Sequence, residues 1–187
     1  KMDLPIFELT LDGEATGVTA VALVEQPAIG VEYQAFNKEY KFGIADDEQR
    51  IVVGAAMIPD LPIYRMDAER GEYHAIFRKE TIRKIVEQFF RDKRVNAINE
   101  NHDSSRMVEG GFIFQSWVTD ASIGIQPPKG FENIADGTWF IAAKIENDDV
   151  WQKVKESGEY KGFSIEGLFD VKPYANQSMS KILKEYI

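Results

Sequence analysis

The chain has 187 residues, 31 acidic and 22 basic, and carries a formal net charge of −9. It has no cysteine and two histidines, which excludes a disulfide framework, thiolate metal sites, a cysteine nucleophile and a three-histidine zinc site. The acidic balance argues against a general nucleic-acid binder, and no apolar run nears the ~18–20 residues of a membrane span, so a soluble intracellular domain is the expectation.

The N-terminal third reads as β. Phe7 to Leu11 places an apolar residue at every second position, as a half-buried strand requires, and Asp12-Gly13 marks a turn. Val18 to Val24 is β-branched and apolar. Pro27, which has no N–H for a ladder, closes that segment. Short strands are expected near Val31–Phe36 and Tyr40–Ile44, then a solvated loop at Asp46-Asp47-Glu48. Ile51 to Ile58 is almost wholly apolar and reads as a strand buried on both faces. Ile63-Tyr64-Arg65 and Tyr73 to Phe77 flank the polar stretch Asp67–Gly71 and read as a hairpin.

Between Lys79 and Arg91 the period changes. Ile82, Ile85, Val86, Phe89 and Phe90 line one face of an amphipathic helix, the pattern of a helix covering a sheet. Val95 to His102 returns to strand-like alternation, and Gly110 to Val118 is a second strong strand. Ile123 to Gly137 reads as an exposed loop and Thr138 to Ile145 as a strand. Asn147 can cap a helix, with Asp148 and Asp149 in its first turn and Lys153 and Lys155 near its end. Gly162 to Val171 is the last clear strand, and Met179, Ile182, Leu183 and Tyr186 suggest a terminal amphipathic helix. The sum is a mainly β (α+β) chain with peripheral helices, a count that suits a barrel or a highly curved sheet. Residues 1–171 are assigned to the β domain and 172–187 to a C-terminal helical extension.

Two segments could carry chemistry. His74 lies in an apolar hairpin strand and reads as structural. His102 lies in the polar cluster Asn99 to Ser105, at a strand end where side chains are commonly delivered to sites. Two-residue alternation places Glu100 and His102 on one face and Asn99 and Asn101 on the other. On the last strand it places Ser164, Glu166, Leu168 and Asp170 on one face, opposite Phe163, Ile165, Gly167, Phe169 and Val171. Gly162 and Gly167 flank Ser164 and allow close backbone approach. A serine hydroxyl needs a base to become a nucleophile, and histidine suits that task near neutrality. If the two strands are neighbours, the pattern permits a His102–Ser164 pair. Glu166, Glu100 and Asp103 remain open as the carboxylate behind the imidazole. Trp117, Trp139 and Trp151 could serve a ligand-binding β domain as platforms, although their positions suit a core better.

Several segments in one order carry a resemblance. They include Leu4–Glu8, Ala20–Val24, Gln26-Pro27-Ala28, Ile51–Arg65, Asn101-His102-Asp103-Ser104 and Gly111–Val118. Pro128–Phe131, Asp136–Phe140, Asn147–Trp151 and Lys161–Gly167 complete the set. Over residues 3–171 the chain resembles phage prohead maturation proteases of the XkdF-like subgroup. That resemblance implies a serine endopeptidase with a herpesvirus-assemblin-like barrel. It implies an enzyme acting inside the immature capsid, in the host cytoplasm, on scaffold, capsid protein and itself. It carries the histidine onto His102 and the serine onto Ser164, and Glu166 is the first choice for the third member on strand-face grounds. Relatives often have an acid where this chain has Gln115. Arg106 or backbone N–H groups near Ser164 are candidates for the oxyanion. The chemistry requires no cofactor or metal, involves no nucleic acid or membrane, and allows self-association. The competing reading is an inactive protease-like module with a structural or scaffold-interaction role.

Overall fold

Alternating apolar side chains make strands wherever one face can be buried, and here they make many short ones. The computed structural model describes residues 4–13, 16–25, 43–156 and 159–174. In chain order these form β1 (Ile6–Thr10), β2 (Gly17–Val24), β3 (Gly43–Asp46), β4 (Ile51–Met57), β5 (Ile63–Asp67) and β6 (Gly71–Ile76). Helix α1 (Lys79–Arg91) follows, then β7 (Ile98–Glu100), β8 (Asp103–Met107), β9 (Gly111–Val118) and β10 (Trp139–Ile145). Helix α2 (Asp148–Lys155), β11 (Gly162–Leu168) and β12 (Asp170–Pro173) complete the described chain. The strand expected near Val31–Phe36, the first part (residues 40–42) of the strand expected near Tyr40–Ile44, and the terminal helix at Met179–Tyr186 lie outside the described residues, while Gly43 and Ile44 fall in β3. No described helix is long and apolar enough to cross a membrane.

The molecule is mainly β with two helices, but among the described residues the strands do not close into a barrel. They form three four-stranded sheets, ordered β12-β1-β6-β5, β3-β4-β10-β9 and β11-β2-β7-β8. The single last strand expected over Gly162–Val171 breaks at Phe169. β11 pairs with β2 and β12 with β1, so this segment passes from one sheet to another. Two of the pairings, β1 with β6 and β2 with β7, are parallel and join distant parts of the sequence.

Helix α1 buries Ile82, Ile85 and Phe89, the stripe that its 3.6-residue period marks. Asn147 caps α2 by accepting a bond from the Val150 N–H at 3.0 Å, with Asp148 and Asp149 in the first turn and Lys153 and Lys155 in the last. Both ends thus suit the helix dipole. Trp139 and Trp151 are buried and Trp117 stacks on Phe140, which removes the platform reading. The 123–137 segment is exposed over most of its length, as expected, and is anchored where Phe131 packs edge-on against Phe140 and Ile134 joins the same small cluster.

Trp139 ties α1 to β10. It is fully buried, meets Phe89 edge-to-face at 5.3 Å, and donates from Nε1 to Ser116 Oγ at 2.8 Å. Trp139→Ala should cost about 3–5 kcal/mol through the cavity it leaves. That corresponds to a drop of about 10 °C in a melting temperature followed by circular dichroism. A shift under about 2 °C would show that this contact does not hold the helix to the sheet.

Candidate active site

The site is built on the sheet β11-β2-β7-β8. Ser164 of β11 pairs with Ala22 of β2, and Ala22 pairs with Asn99 of β7. Paired residues share a face, so Ser164, Ala22 and Asn99 form one row and Glu166 and Ala20 lie in the next. The two alanines keep the middle strand low, which leaves space above β2 for a larger side chain.

His102 reaches over that space, though not from a strand as alternation suggests. β7 ends at Glu100, and Asn101 and His102 form a two-residue turn to β8, with φ of 51° and 61°. Both lie in the left-handed region, as in a type I′ hairpin. Asparagine and histidine tolerate that region better than most residues. The turn is pinned to β2, where Asn101 N–H donates to Leu23 O at 2.9 Å and its Oδ1 accepts from Glu25 N–H at 3.3 Å. The segment Val95–His102 also starts differently from expectation, with a single 3-10 turn over Arg94–Asn96 before β7.

His102 Nε2 lies 2.9 Å from Ser164 Oγ, and His102 Nδ1 lies 3.1 Å from Glu166 Oε1. The hydroxyl, imidazole and carboxylate form a continuous line, with Nδ1–H toward Glu166 and the Nε2 lone pair toward Ser164. Ser164 is 6% exposed and lines a cleft of about 260 Å³. Gly167 makes the local geometry possible. A Cβ there would sit 2.4 Å from the Gly17 carbonyl oxygen, so only glycine lets β2 and β11 meet at the bulge between Glu166 and Gly167.

The other candidates lie elsewhere. Glu100 points to the opposite face of the sheet. Lys153 Nζ is 2.6 Å from its Oε2, Arg106 Nη2 is 3.1 Å from its Oε1, and Tyr160 donates a short hydrogen bond to it. Burial pushes the Glu100 carboxyl up, but the bonds from Lys153 and Tyr160 and the charges of Lys153 and Arg106 outweigh it, and its pKa falls below the ordinary value. Burial, then the bond to Glu100, raise the Tyr160 phenol. Arg106 is thus engaged by Glu100. Asp103 accepts from the N–H and hydroxyl of Ser105. His74 is buried on β6 against the Tyr64 ring. Gln115 lies on β9, in a different sheet. Among the described residues no group of His, Asp and Glu could hold a metal ion.

Sequence reasoning missed Asn99. Its side chain is fully buried and its Nδ2 donates to Glu166 Oε1 at 2.8 Å, the same oxygen that faces His102. Its Oδ1 is buried without a hydrogen-bond partner. Strand parity placed Asn99 on the face opposite Glu100. The missing step was that β2 bridges that face to Ser164. An unpaired buried acceptor costs about 1–3 kcal/mol. Asn99→Leu should therefore leave the melting temperature unchanged or raised, while kcat falls about tenfold because Glu166 loses one of its donors. A variant that loses stability but keeps full kcat would assign Asn99 to packing alone.

No curated protein and no solved structure matches the chain. A family model described as "Putative phage serine protease XkdF" matches residues 41–172. The match spans more than half of the sequence and contains His102, Ser164 and Glu166. The chain therefore belongs to the XkdF family of phage serine proteases.

Proposed function

We propose that this protein is a serine endopeptidase of procapsid maturation, which cleaves scaffold and capsid protein and also itself, inside the immature phage head in the host cytoplasm. The observation that carries this reading is the 2.9 Å separation of His102 Nε2 and Ser164 Oγ, with Glu166 behind the ring. The same reading takes the three sheets as the assemblin-like protease scaffold, opened rather than closed.

The reaction is acyl transfer. His102 Nε2 takes the Ser164 proton as Oγ attacks the scissile carbonyl carbon. The carbonyl π electrons move to oxygen, where a backbone N–H beside Ser164 stabilises the charge. His102 then gives its proton to the amine as the C–N bond breaks, leaving a Ser164 ester. Water adds through the same base, and the acid product departs. Throughout, Glu166 holds the Nδ1–H tautomer and stabilises the imidazolium, and Asn99 holds Glu166.

The test is co-expression of the chain with its phage's scaffold and capsid proteins, with processing read by gel and by mass of the new ends. Cleavage that depends on Ser164 supports the reading. Intact substrates with a correctly folded chain would leave a protease-like module without activity.

A further inference from the structure

Glu100 is a buried carboxylate that the acyl-transfer mechanism leaves unused. It is 8% exposed and stands in the row Glu100, Leu23 and Phe163, on the face of the sheet behind Ser164, Ala22 and Asn99. Its partners come from separate parts of the chain. Lys153 Nζ of α2 lies 2.6 Å from Oε2, and Arg106 Nη2 of β8 lies 3.1 Å from Oε1. The hydroxyl of Tyr160, a residue 1% exposed, donates to Oε2, and Lys153 Nζ sits 5.7 Å from the centre of the Tyr160 ring. Tyr160 precedes Ser164 by four positions and Glu100 precedes His102 by two. One carboxylate thus fastens the lead-in of the serine strand to the stem of the histidine hairpin, and both to α2.

The hairpin that carries His102 is thinly built. β7 is three residues long, and β8, at the sheet edge, is exposed at every position. Their ladder is irregular. Glu100 pairs with Asp103 but Asn99 pairs with Met107, so Ser104, Ser105 and Arg106 bulge out of register. The Arg106 bond to Glu100 spans that bulge. At the tip, Asn101 and His102 both take left-handed backbone, a conformation that persists where the surroundings impose it. Bonds from β2 hold Asn101 on one side, and Glu100 holds the stem from behind the sheet.

We propose that Glu100 is a positioning residue for the reaction: its cluster with Lys153, Arg106 and Tyr160 fixes the histidine hairpin against β11, so that His102 Nε2 stays within hydrogen-bond reach of Ser164 Oγ. The proposal rests on the protease reading and extends it to a group on the far side of the sheet. Glu166 sets the tautomer of the ring, and Glu100 sets where its backbone stands. A fully satisfied buried network holds its members in one arrangement. A misplacement of about 1 Å at a reacting pair slows the chemistry by about 100-fold, even when the change that causes it is remote.

The test compares Glu100→Gln and Tyr160→Phe with the parent, by turnover of purified scaffold protein and by NMR of the imidazole nitrogens at neutral pH. Tyr160→Phe keeps the buried ring and removes one bond, so it decides the matter if Glu100→Gln, which leaves Lys153 and Arg106 without their carboxylate, does not fold. The chain has two histidines, and the signals missing in His102→Asn are those of His102. Glu100→Gln should lower kcat by about 10–100-fold and Tyr160→Phe by about 3–10-fold, with KM unchanged. In both, the His102 nitrogen shifts should move toward those of free histidine, while circular dichroism stays that of the parent. Lys155→Met, which breaks another α2 ion pair, with Asp47, should change neither reading. Parent-like kcat, parent-like His102 shifts, a loss carried by KM, or an equal loss in Lys155→Met overturns the inference and leaves the protease reading standing. If the parent itself does not cut, the protease reading falls, and the His102 shifts alone decide whether Glu100 fixes the hairpin.

Discussion

Ser164→Ala should lower the cleavage rate by on the order of 10⁴–10⁶-fold, to the level left by binding and oxyanion stabilisation alone. In the proposed mechanism the hydroxyl is the bond-forming group. The variant should fold normally, because the lost contact is one hydrogen bond to a partly exposed imidazole, worth about 1 kcal/mol. Replacing His102 should have an effect of similar size. His102→Asn is the informative substitution, since asparagine also accepts the left-handed backbone at φ 61°. The turn then survives and only the base is removed. The double variant should be hardly slower than either single one, because nucleophile and base act as a unit. Self-processing in cells and turnover of a purified substrate both report the result. Multiplicative losses would mean two separate roles, and unchanged processing in Ser164→Ala would remove the nucleophile.

Glu166→Gln should lower kcat by about 10²–10⁴-fold with little change in KM. Glu166 Oε1 faces both His102 Nδ1 and Asn99 Nδ2. An amide can keep its oxygen toward both donors, but it then lacks the charge that stabilises the imidazolium. If it instead turns its NH₂ toward Nδ1, the tautomer reverses and Nε2–H points at the serine, which leaves no base. Either outcome slows the chemical step more than binding. Glu166 is partly exposed on the face away from the core, so circular dichroism and melting temperature should stay close to the parent. A loss under about threefold would show that the carboxylate is not the imidazole's partner.

Much of the fold was legible wherever burial is one-sided. The stripe Ile82-Ile85-Phe89 delimits α1, the Asn147 cap delimits α2, and alternating or wholly apolar runs give β2, β4, β9 and β10. β8 was not legible, because all five of its residues are exposed and an edge strand without a buried face has no hydrophobic period. Closure into a barrel is not found among the described residues. Alternation reports which face is buried but not which strands pair, and the break at Phe169 carries no Gly or Pro to announce it.

At the site, two-residue parity served one strand and failed on the other. Ser164 and Glu166 do share a face, because β11 runs unbroken between them. Glu100 and His102 do not belong together, because the strand stops at Glu100 and the chain turns over. Asn101-His102 gives a weak turn signal, since the strong hairpin dipeptides contain glycine. The resemblance placed His102 and Ser164 as candidates, but their approach depends on β2, a strand from the other end of the sequence. Asn99 enters the site only through that assembly.

The hydroxyl and the imidazole lie 62 residues apart in sequence, one on β11 and the other in the turn that follows β7, and β2 stands between β7 and β11. A chain emerging from the ribosome makes β2 first, the histidine hairpin next, and β11 only near the end of the described region. Until β11 docks, the nascent polypeptide holds a serine with no base and a histidine with no target. On the proposed mechanism, latency during synthesis is built into the order of the strands, and the nucleophile meets its base only in the finished tertiary structure.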